Sequence, residues 1–315
     1  MYVGIDLGGT NIAAGVVDDN GKILCQASLP TKADRGAEAI AKDMAELAKR
    51  VIADSGLTEK DIKAIGVGSP GSVVNSTGTI AYSNNINMKN FPLGDIIRSY
   101  VDLPVNLEND ANAAAYGEYA INGKGSECFV FITLGTGVGG GVIIDGKLFR
   151  GFNGCGAELG HTVIEHGGEQ CTCGRKGCWE AYASVTALIR QTKEAMEKNP
   201  ESLMHALAEK EGKVSGRTAF DAAKQGDSAA QEVVDQYIRY VADGIVNMVN
   251  TFQPTKIVIG GGISKEGDYL LNPIREFVKA NDYNKYLEKT EIEIATLFND
   301  AGIIGAALAA KSEIE

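Results

Sequence analysis

Three cysteines crowd the stretch Cys171-Thr172-Cys173-Gly174-Arg175-Lys176-Gly177-Cys178, an imidazole precedes them at His161, and Glu158 and Glu180 bracket the whole. Thiolates and imidazole together suit a tetrahedral Zn²⁺, and four protein ligands close such a site, making it structural rather than catalytic. The surrounding Thr, Gly, Arg and Lys are not the neighbours of thiols buried as small hydrophobes. Cys25, Cys128 and Cys155 do lie in or beside apolar segments and read as that second kind. Spacing leaves the fourth ligand open between His161 and His166, with the glycine-rich turns around His161 and its neighbour Glu158 favouring the former. Glu158 and His161 are three apart and face the same way in a helical turn. Glu180 stands just past Cys178, so one metal would organise three polar groups. Carboxylates and imidazole discriminate well among vicinal hydroxyls, and the stretch reads as a hydroxyl-binding wall.

A second chemistry is written in glycine. The chain has 39 glycines, and they gather at Gly8-Gly9-Thr10-Asn11, at Gly135 to Gly141, at 151–160 and at Gly260-Gly261-Gly262. Tight turns of this kind turn backbone N–H groups into anion-binding concavities. Gly135-x-Gly137-x-x-Gly140 formally matches the dinucleotide fingerprint, which needs a helix after it. Here β-branched residues and an Asp145-Gly146 hairpin turn follow instead, and the chain has no P-loop motif. Two matched hairpin loops, with a third glycine run behind a strand, point to a nucleotide's phosphates. Asp110 is a further candidate. At a strand-to-helix junction an Asp reads first as an N-cap, although Asn109 could fill that role equally. The alternative is a general base that takes a hydroxyl proton as a phosphoryl group arrives.

The elements needed to hold these groups are legible from periodicity. Residues 2–7, 12–17 and 22–29 read as strands joined by the first glycine loop and a turn at 18–21, followed by a helix over 35–53. Strands at 63–67 and 104–107 lead to the helix start at 111. The pattern then repeats: strand 128–134, glycine loop, strand 142–144, turn and return strand 147–149. Two related α/β halves are expected. Helices follow over 181–198, 218–224 and 228–252, then a strand at 256–259, a weaker one at 291–297 and a last helix over 302–311. At 315 residues, two domains are expected rather than one. The net charge of -11 excludes a general nucleic-acid binder. No apolar run approaches the roughly 20 residues of a membrane span, and no secretory signal opens the chain, so no membrane partner and a cytoplasmic location are expected. There, six cysteines are reduced thiols or metal ligands.

Taken together, Asp6-Leu7-Gly8-Gly9-Thr10-Asn11, Glu108-Asn109-Asp110-Ala111-Asn112, Glu158-Leu159-Gly160-His161, the cysteine run through Glu180 and the terminal Asn299-Asp300-Ala301-Gly302-Ile303-Ile304-Gly305-Ala306-Ala307 resemble the ROK family of sugar kinases and sugar-responsive repressors. Within it, the motifs are most similar to those of bacterial ATP-dependent glucokinases. The resemblance spans essentially the whole chain. It implies a two-domain actin-like (ribonuclease H-like) α/β ATPase fold, with a cleft between the domains and a zinc-binding module at 155–182. The expected division is 1–110 plus 301–315 against 111–300. It implies ATP-dependent phosphorylation of glucose at the C6 hydroxyl, with Asp110 as catalytic base. Gly71, Asn84, Asn109, Asp110, Glu158, His161 and Glu180 would bind the sugar. Asp6, near Mg²⁺, with Gly8, Gly9, Thr10, Asn11, Thr136, Gly137, Gly261 and Gly262, would hold the nucleotide. His161, Cys171, Cys173 and Cys178 would hold structural Zn²⁺. A homodimer or homotetramer is implied as well.

Three alternatives stay open on the same residues. Other hexoses or N-acetylhexosamines (N-acetylglucosamine, N-acetylmannosamine, mannose, fructose, allose) would meet a similar wall, and polyphosphate could occupy similar loops. A repressor of this family would need a helix-turn-helix ahead of the first glycine loop, which here begins at residue 8. One departure is visible: Gly156-Ala157-Glu158 stands where the family more often has Ala-Gly-Glu, and a changed local turn is expected.

Overall fold

The computed structural model describes residues 1–83 and 86–315. Its first elements are β1 (Tyr2–Leu7), β2 (Asn11–Val17), β3 (Ile23–Pro30), α1 (Ala37–Asp54), β4 (Ile65–Ser69), β5 (Ser72–Val74), β6 (Thr79–Ser83), β7 (Met88–Phe91) and α2 (Leu93–Tyr100). Then come β8 (Val105–Asn109), α3 (Asp110–Glu118), β9 (Cys128–Leu134), β10 (Val138–Ile144) and β11 (Lys147–Leu148). The remainder is α4 (Glu180–Ala183), α5 (Val185–Lys198), α6 (Leu203–Glu211), α7 (Thr218–Ala223), α8 (Ser228–Phe252), β12 (Lys256–Gly260), α9 (Asp268–Asn281), β13 (Glu291–Ile294) and α10 (Ala301–Ile314).

Two five-stranded sheets have the orders β3-β2-β1-β4-β8 and β11-β10-β9-β12-β13. Each puts its first strand in the centre, the hairpin-connected second and third on one side and two later strands on the other. This is the repeat expected from the two glycine loops. In the first sheet β1–β2 and β2–β3 are antiparallel, while β1–β4 and β4–β8 are parallel. In the second, β10–β11 is antiparallel and β12–β13 parallel. The β10–β11 turn uses Asp145 at φ 50° and Gly146 at φ 79°, a pairing whose twist matches the flanking strands.

Alternation along β1 decides what each face can do. Val3, Ile5 and Leu7 join a core with Ile40, Met44, Leu47 and Val51 of α1. Tyr2 packs on the other face with Ile303 and Ala307 of α10. Gly4 shares that face, and a Cβ on it would stand 1.9 Å from the Ile303 carbonyl oxygen. Gly66 and Gly305 are equally tight, 1.8 Å from the Ala306 oxygen and 1.7 Å from the Ala113 oxygen. Backbone-to-backbone seating of α10 on β1, β4 and α3 therefore depends on absent side chains. Asp6 belongs to the same face, and α10 reaches it with Gly302, whose Cβ would be 2.7 Å from the Asp6 carboxyl carbon.

The chain forms two compact units: Met1–Phe131 with Gly141–Ala157 and Thr296–Glu315, and Ile132–Gly140 with Glu158–Ala295. The division expected at 110/111 is thus displaced. Helix α3 stays with the first unit because Gly117 and Gly305 let α10 press against it. Residues 141–157 join it through Gly141, packed on Ala115, and Arg150, paired with Glu108. The expected 155–182 module is likewise parted after Ala157. Other differences are local. Residues 72–100 hold a three-stranded sheet, β5-β6-β7, and α2, which no clean periodicity announces. The helix expected over 181–198 breaks at Ser184, whose hydroxyl oxygen accepts the Ala187 N–H to cap α5. Gly139 to Gly141 lie inside β10, so the second glycine turn is confined to 135–137. Among the described residues no helix is long and apolar enough to cross a membrane.

Candidate active site

The β8–α3 junction delivers three polar residues in succession, Glu108 and Asn109 from the strand and Asp110 from the helix. Asn109 is the N-cap of α3: its side-chain oxygen accepts the Ala111 and Asn112 N–H groups at 2.9 and 3.1 Å. Its amide donates to the Gly71 carbonyl at 3.1 Å, which fixes the side chain's plane. Gly71 can do this because it sits at φ 97°, where a Cβ would strike the Tyr82 carbonyl oxygen at 2.2 Å. With the cap supplied by its neighbour, Asp110 accepts the Ala111 N–H at Oδ1 at 2.8 Å. Burial pushes its pKa up, opposed by that N–H. Asp6, on β1, is raised to about 6, first by burial and then by the charge of Asp110. These two carboxylates therefore influence each other.

Glu108, the third residue, is buried and carries a network that its residue type should have announced, because a charge in an apolar strand needs partners. Arg150 Nε donates to Oε2 at 2.6 Å, Asn75 to the same oxygen at 3.2 Å, and Asn112 with the Asn109 N–H to Oε1 at 3.1 and 3.0 Å. Arg150 also pairs with Glu313 of α10 at 2.9 Å. Asn75, Arg150 and Glu313 belong to no motif of the sequence, and only the burial of Glu108 points to them.

In the second unit, one ligand atom each from His161, Cys171, Cys173 and Cys178 lies within 4.8 Å of all the others. The Cys171 sulfur is 3.6 Å from His161 Nδ1, and the Cys173 and Cys178 sulfurs are 3.7 Å apart. Zn–S bonds of about 2.3 Å give ligand–ligand edges of about 3.8 Å in a tetrahedron, so this donor set could hold such an ion. His166, the alternative left open by spacing, is not in the group. Burial pushes the Cys178 thiol up to about 12, while the Arg175 backbone N–H lowers Cys173. Two of the three clustered thiols are buried, and Cys155, expected as a buried thiol in or beside an apolar segment, is exposed. Leu159 to His161 form a single 3₁₀ turn with Glu158 as its cap residue, and Glu180 opens α4. Ala157, immediately before Glu158, adopts φ 62°, the left-handed region that glycine occupies freely. The departure noted there in the sequence thus places a residue with a Cβ in that left-handed region.

The first glycine loop is closed by the Gly8 N–H donating to the Asn11 carbonyl at 2.9 Å and by the Thr31 hydroxyl donating to the Gly8 carbonyl at 2.6 Å. That leaves Gly9, Thr10 and Asn11 exposed at its tip. The second loop is anchored through its carbonyls, Gly135 accepting the Val185 N–H at 2.8 Å and Thr136 the Thr186 hydroxyl at 2.7 Å. The N-terminal turn of α5, a partial positive charge, thereby abuts it. Gly261, at φ 87°, passes so close to Leu134 that a Cβ would lie 2.2 Å from that carbonyl oxygen, and Gly262 is exposed beside it. Within the first unit, then, the structure gathers Asp6, Gly8 to Asn11, Gly71, Asn109 and Asp110. Within the second it gathers Thr136, Gly137, Glu158, His161, the three cysteines, Glu180, Gly261 and Gly262. Asn84 lies outside the described residues.

The model of the ROK family matches residues 2–313. The glucokinase of Halalkalibacterium halodurans is 38% identical over 314 residues, covering 99% of this chain and 95% of that one. The glucokinase of Thermotoga maritima is also 38% identical, covering 99% and 98%. Among solved structures, a ROK family glucokinase from Streptomyces griseus in complex with glucose and AMPPNP superposes with a TM-score of 0.84 at 36% identity, covering 99% of both chains.

Proposed function

The chain belongs to the ROK family, and on that premise we propose that it is an ATP-dependent glucokinase, a hexokinase-type phosphotransferase acting on the C6 hydroxyl of glucose. The observation that carries the reading is the division of labour at the β8–α3 junction. Asn109 caps the helix, and Asp110 is left as a carboxylate with a raised pKa. A general base works best when its pKa approaches the working pH, and burial moves Asp110 in that direction.

In this reading Asp110 accepts the proton of the C6 hydroxyl. The freed oxygen bonds to the γ-phosphorus as the bond from that phosphorus to the β–γ bridging oxygen breaks, giving glucose 6-phosphate and ADP. Asn109, Glu158, His161 and Glu180 bind ring hydroxyls, Gly71 contributes by orienting Asn109, and Asn84 is included on the family resemblance. Backbone N–H groups of Gly8, Gly9, Thr10 and Asn11, with Thr136, Gly137, Gly261 and Gly262, cradle the nucleotide. The Asp6 carboxylate is the hard oxygen donor suited to Mg²⁺, which when bound with ATP neutralises charge on the phosphate oxygens. His161 Nδ1 and the three thiols hold Zn²⁺ as a brace, leaving His161 Nε2 for the sugar. A cytoplasmic location fits reduced thiols and an ATP supply. Assembly as a homodimer or homotetramer fits the exposure of Tyr283, Tyr286 and Leu287 in one loop, and sedimentation would measure it.

The decisive variant is Asp110→Asn. Turnover in a coupled assay should fall by about a thousandfold or more while calorimetric glucose affinity stays within a few-fold. Near-normal turnover would sink the assignment. A panel of mannose, fructose, allose and the N-acetylhexosamines, with ATP and with polyphosphate, ranks substrate and donor by kcat/KM.

A further inference from the structure

Glu180 is held from two directions. Its Oε2 accepts the Val138 N–H at 3.1 Å. Its Oε1 accepts the Thr172 hydroxyl at 3.2 Å and lies 3.7 Å from the Cys171 sulfur. Val138 is the first residue after the 135–137 glycine turn, and Thr172 sits between two of the clustered thiols. A single carboxylate thus ties the backbone of the nucleotide loop to the cysteine hairpin. The closeness of that tie accounts for Gly137. A Cβ there would stand 2.3 Å from Glu180 Oε2, and the three nearest atoms all belong to Glu180. Gly137 is not among the residues at positive φ, so its backbone makes no demand for glycine. A Cβ there would instead press on the carboxylate, which would have to swing aside. The His161 turn leans on the same place, since a Cβ on Gly160 would be 2.1 Å from the Val138 carbonyl oxygen.

We propose that Gly137 and the Val138 N–H are positioning groups for sugar recognition, and that the Glu180 carboxylate couples the sugar site energetically to the nucleotide loop. The inference rests on the glucokinase reading for the roles of Glu180 and of the loop. A hydroxyl that donates to Glu180 draws on charge now shared with the Val138 N–H, so the loop feels whether sugar is bound. Conversely, a change in the loop moves the carboxylate that the sugar needs. Linkage makes the factor the same in both directions.

The test separates the coupling from the activity. The first measurement is glucose binding to nucleotide-free protein by calorimetry, for the unsubstituted chain and for Gly137→Ala, with circular dichroism and metal content confirming the fold. A loop substitution that touches only Glu180 should weaken glucose about tenfold with no nucleotide present, the scale of a lost hydrogen bond to a charged group. The second is the affinity for the non-hydrolysable analogue AMPPNP with and without saturating glucose. Its ratio should differ from one in the unsubstituted chain and fall toward one in Glu180→Asp, which is a methylene short of the Val138 N–H. In the Glu180→Asp background, Gly137→Ala should cost nothing further. Unchanged glucose affinity in folded Gly137→Ala, or a ratio unaltered by Glu180→Asp, overturns the coupling. If Gly137→Ala does not fold, the Glu180→Asp ratio decides alone. Absence of glucose binding by the unsubstituted chain would instead overturn the glucokinase reading itself.

Discussion

Asp6 shows at the scale of one residue how a site trades stability for function. Its carboxyl is held up at about 6, against an ordinary 3.8, by burial and by Asp110. In the native state the ionised form is therefore the disfavoured one. Below about pH 4 the group is protonated in folded and unfolded chains alike and costs nothing. Above pH 6 it is ionised in both, and the native state bears the full penalty, ~3 kcal/mol for a displacement of this size. Asp6→Asn should accordingly become more stable than the parent as pH rises from about 4 to 6, and hold the advantage at higher pH. Urea unfolding without Mg²⁺ or nucleotide at either end of that window measures it, and a pH-independent difference would refute the burial argument. The same scale shows why Asp110 was ambiguous in the sequence. Cap and base demand the same residue type at the same junction, and only the seating of the Asn109 side chain on the Ala111 and Asn112 N–H groups separates the two roles.

At the scale of elements, the β8–α3 junction is braced by a pair that no motif contains. Removing Arg150 leaves the Glu108 carboxylate buried with amides alone. Arg150→Ala should cost about 2–3 kcal/mol, below the value for a fully buried pair because Arg150 is partly exposed. It should also lower kcat more than it raises the KM for glucose, with Arg150→Lys recovering part of both. Unchanged kcat in a folded Arg150→Ala would show that the brace is structural only. The seating of α10 is less forgiving. Gly305→Ala places a methyl within 1.7 Å of the Ala113 carbonyl oxygen, so α10 must move off α3. A loss of about 3 kcal/mol or more is expected in chemical denaturation, at the upper end for overpacking. Much of this level was readable beforehand: β1, β9 and the 25 residues of α8 announce themselves because burial imposes their periodicity. What escaped did so for stated reasons. Strands β5 and β7 are too short to show alternation, α6 buries only Met204 and Ala208, α9 carries Pro273 inside its amphipathic pattern, and Arg150 meets Glu108 across 42 positions of sequence.

For the whole molecule, the division into two units matters more than their sizes, because it gives the cysteine cluster to one and Asp110 to the other. Metal removal should therefore act selectively. Chelation, or Cys178→Ser, should lower glucose affinity at least tenfold and strip hydrogen-exchange protection from residues 161–180, while amides of β1 and β4 keep theirs. Full glucose affinity in demonstrably zinc-free protein would refute the bracing role. One side chain makes this visible without any label. Trp179 stands between Cys178 and Glu180, with its indole N–H donating to the Tyr240 carbonyl at 2.8 Å. A Cβ on Gly244 would fall 2.0 Å from its ring. It is the only tryptophan of the 315 residues. All indole emission from this protein thus originates at the joint between the cysteine cluster and the Glu180 carboxylate. Excited beyond the absorption of the tyrosines, its colour and quenching give an optical record of that joint alone.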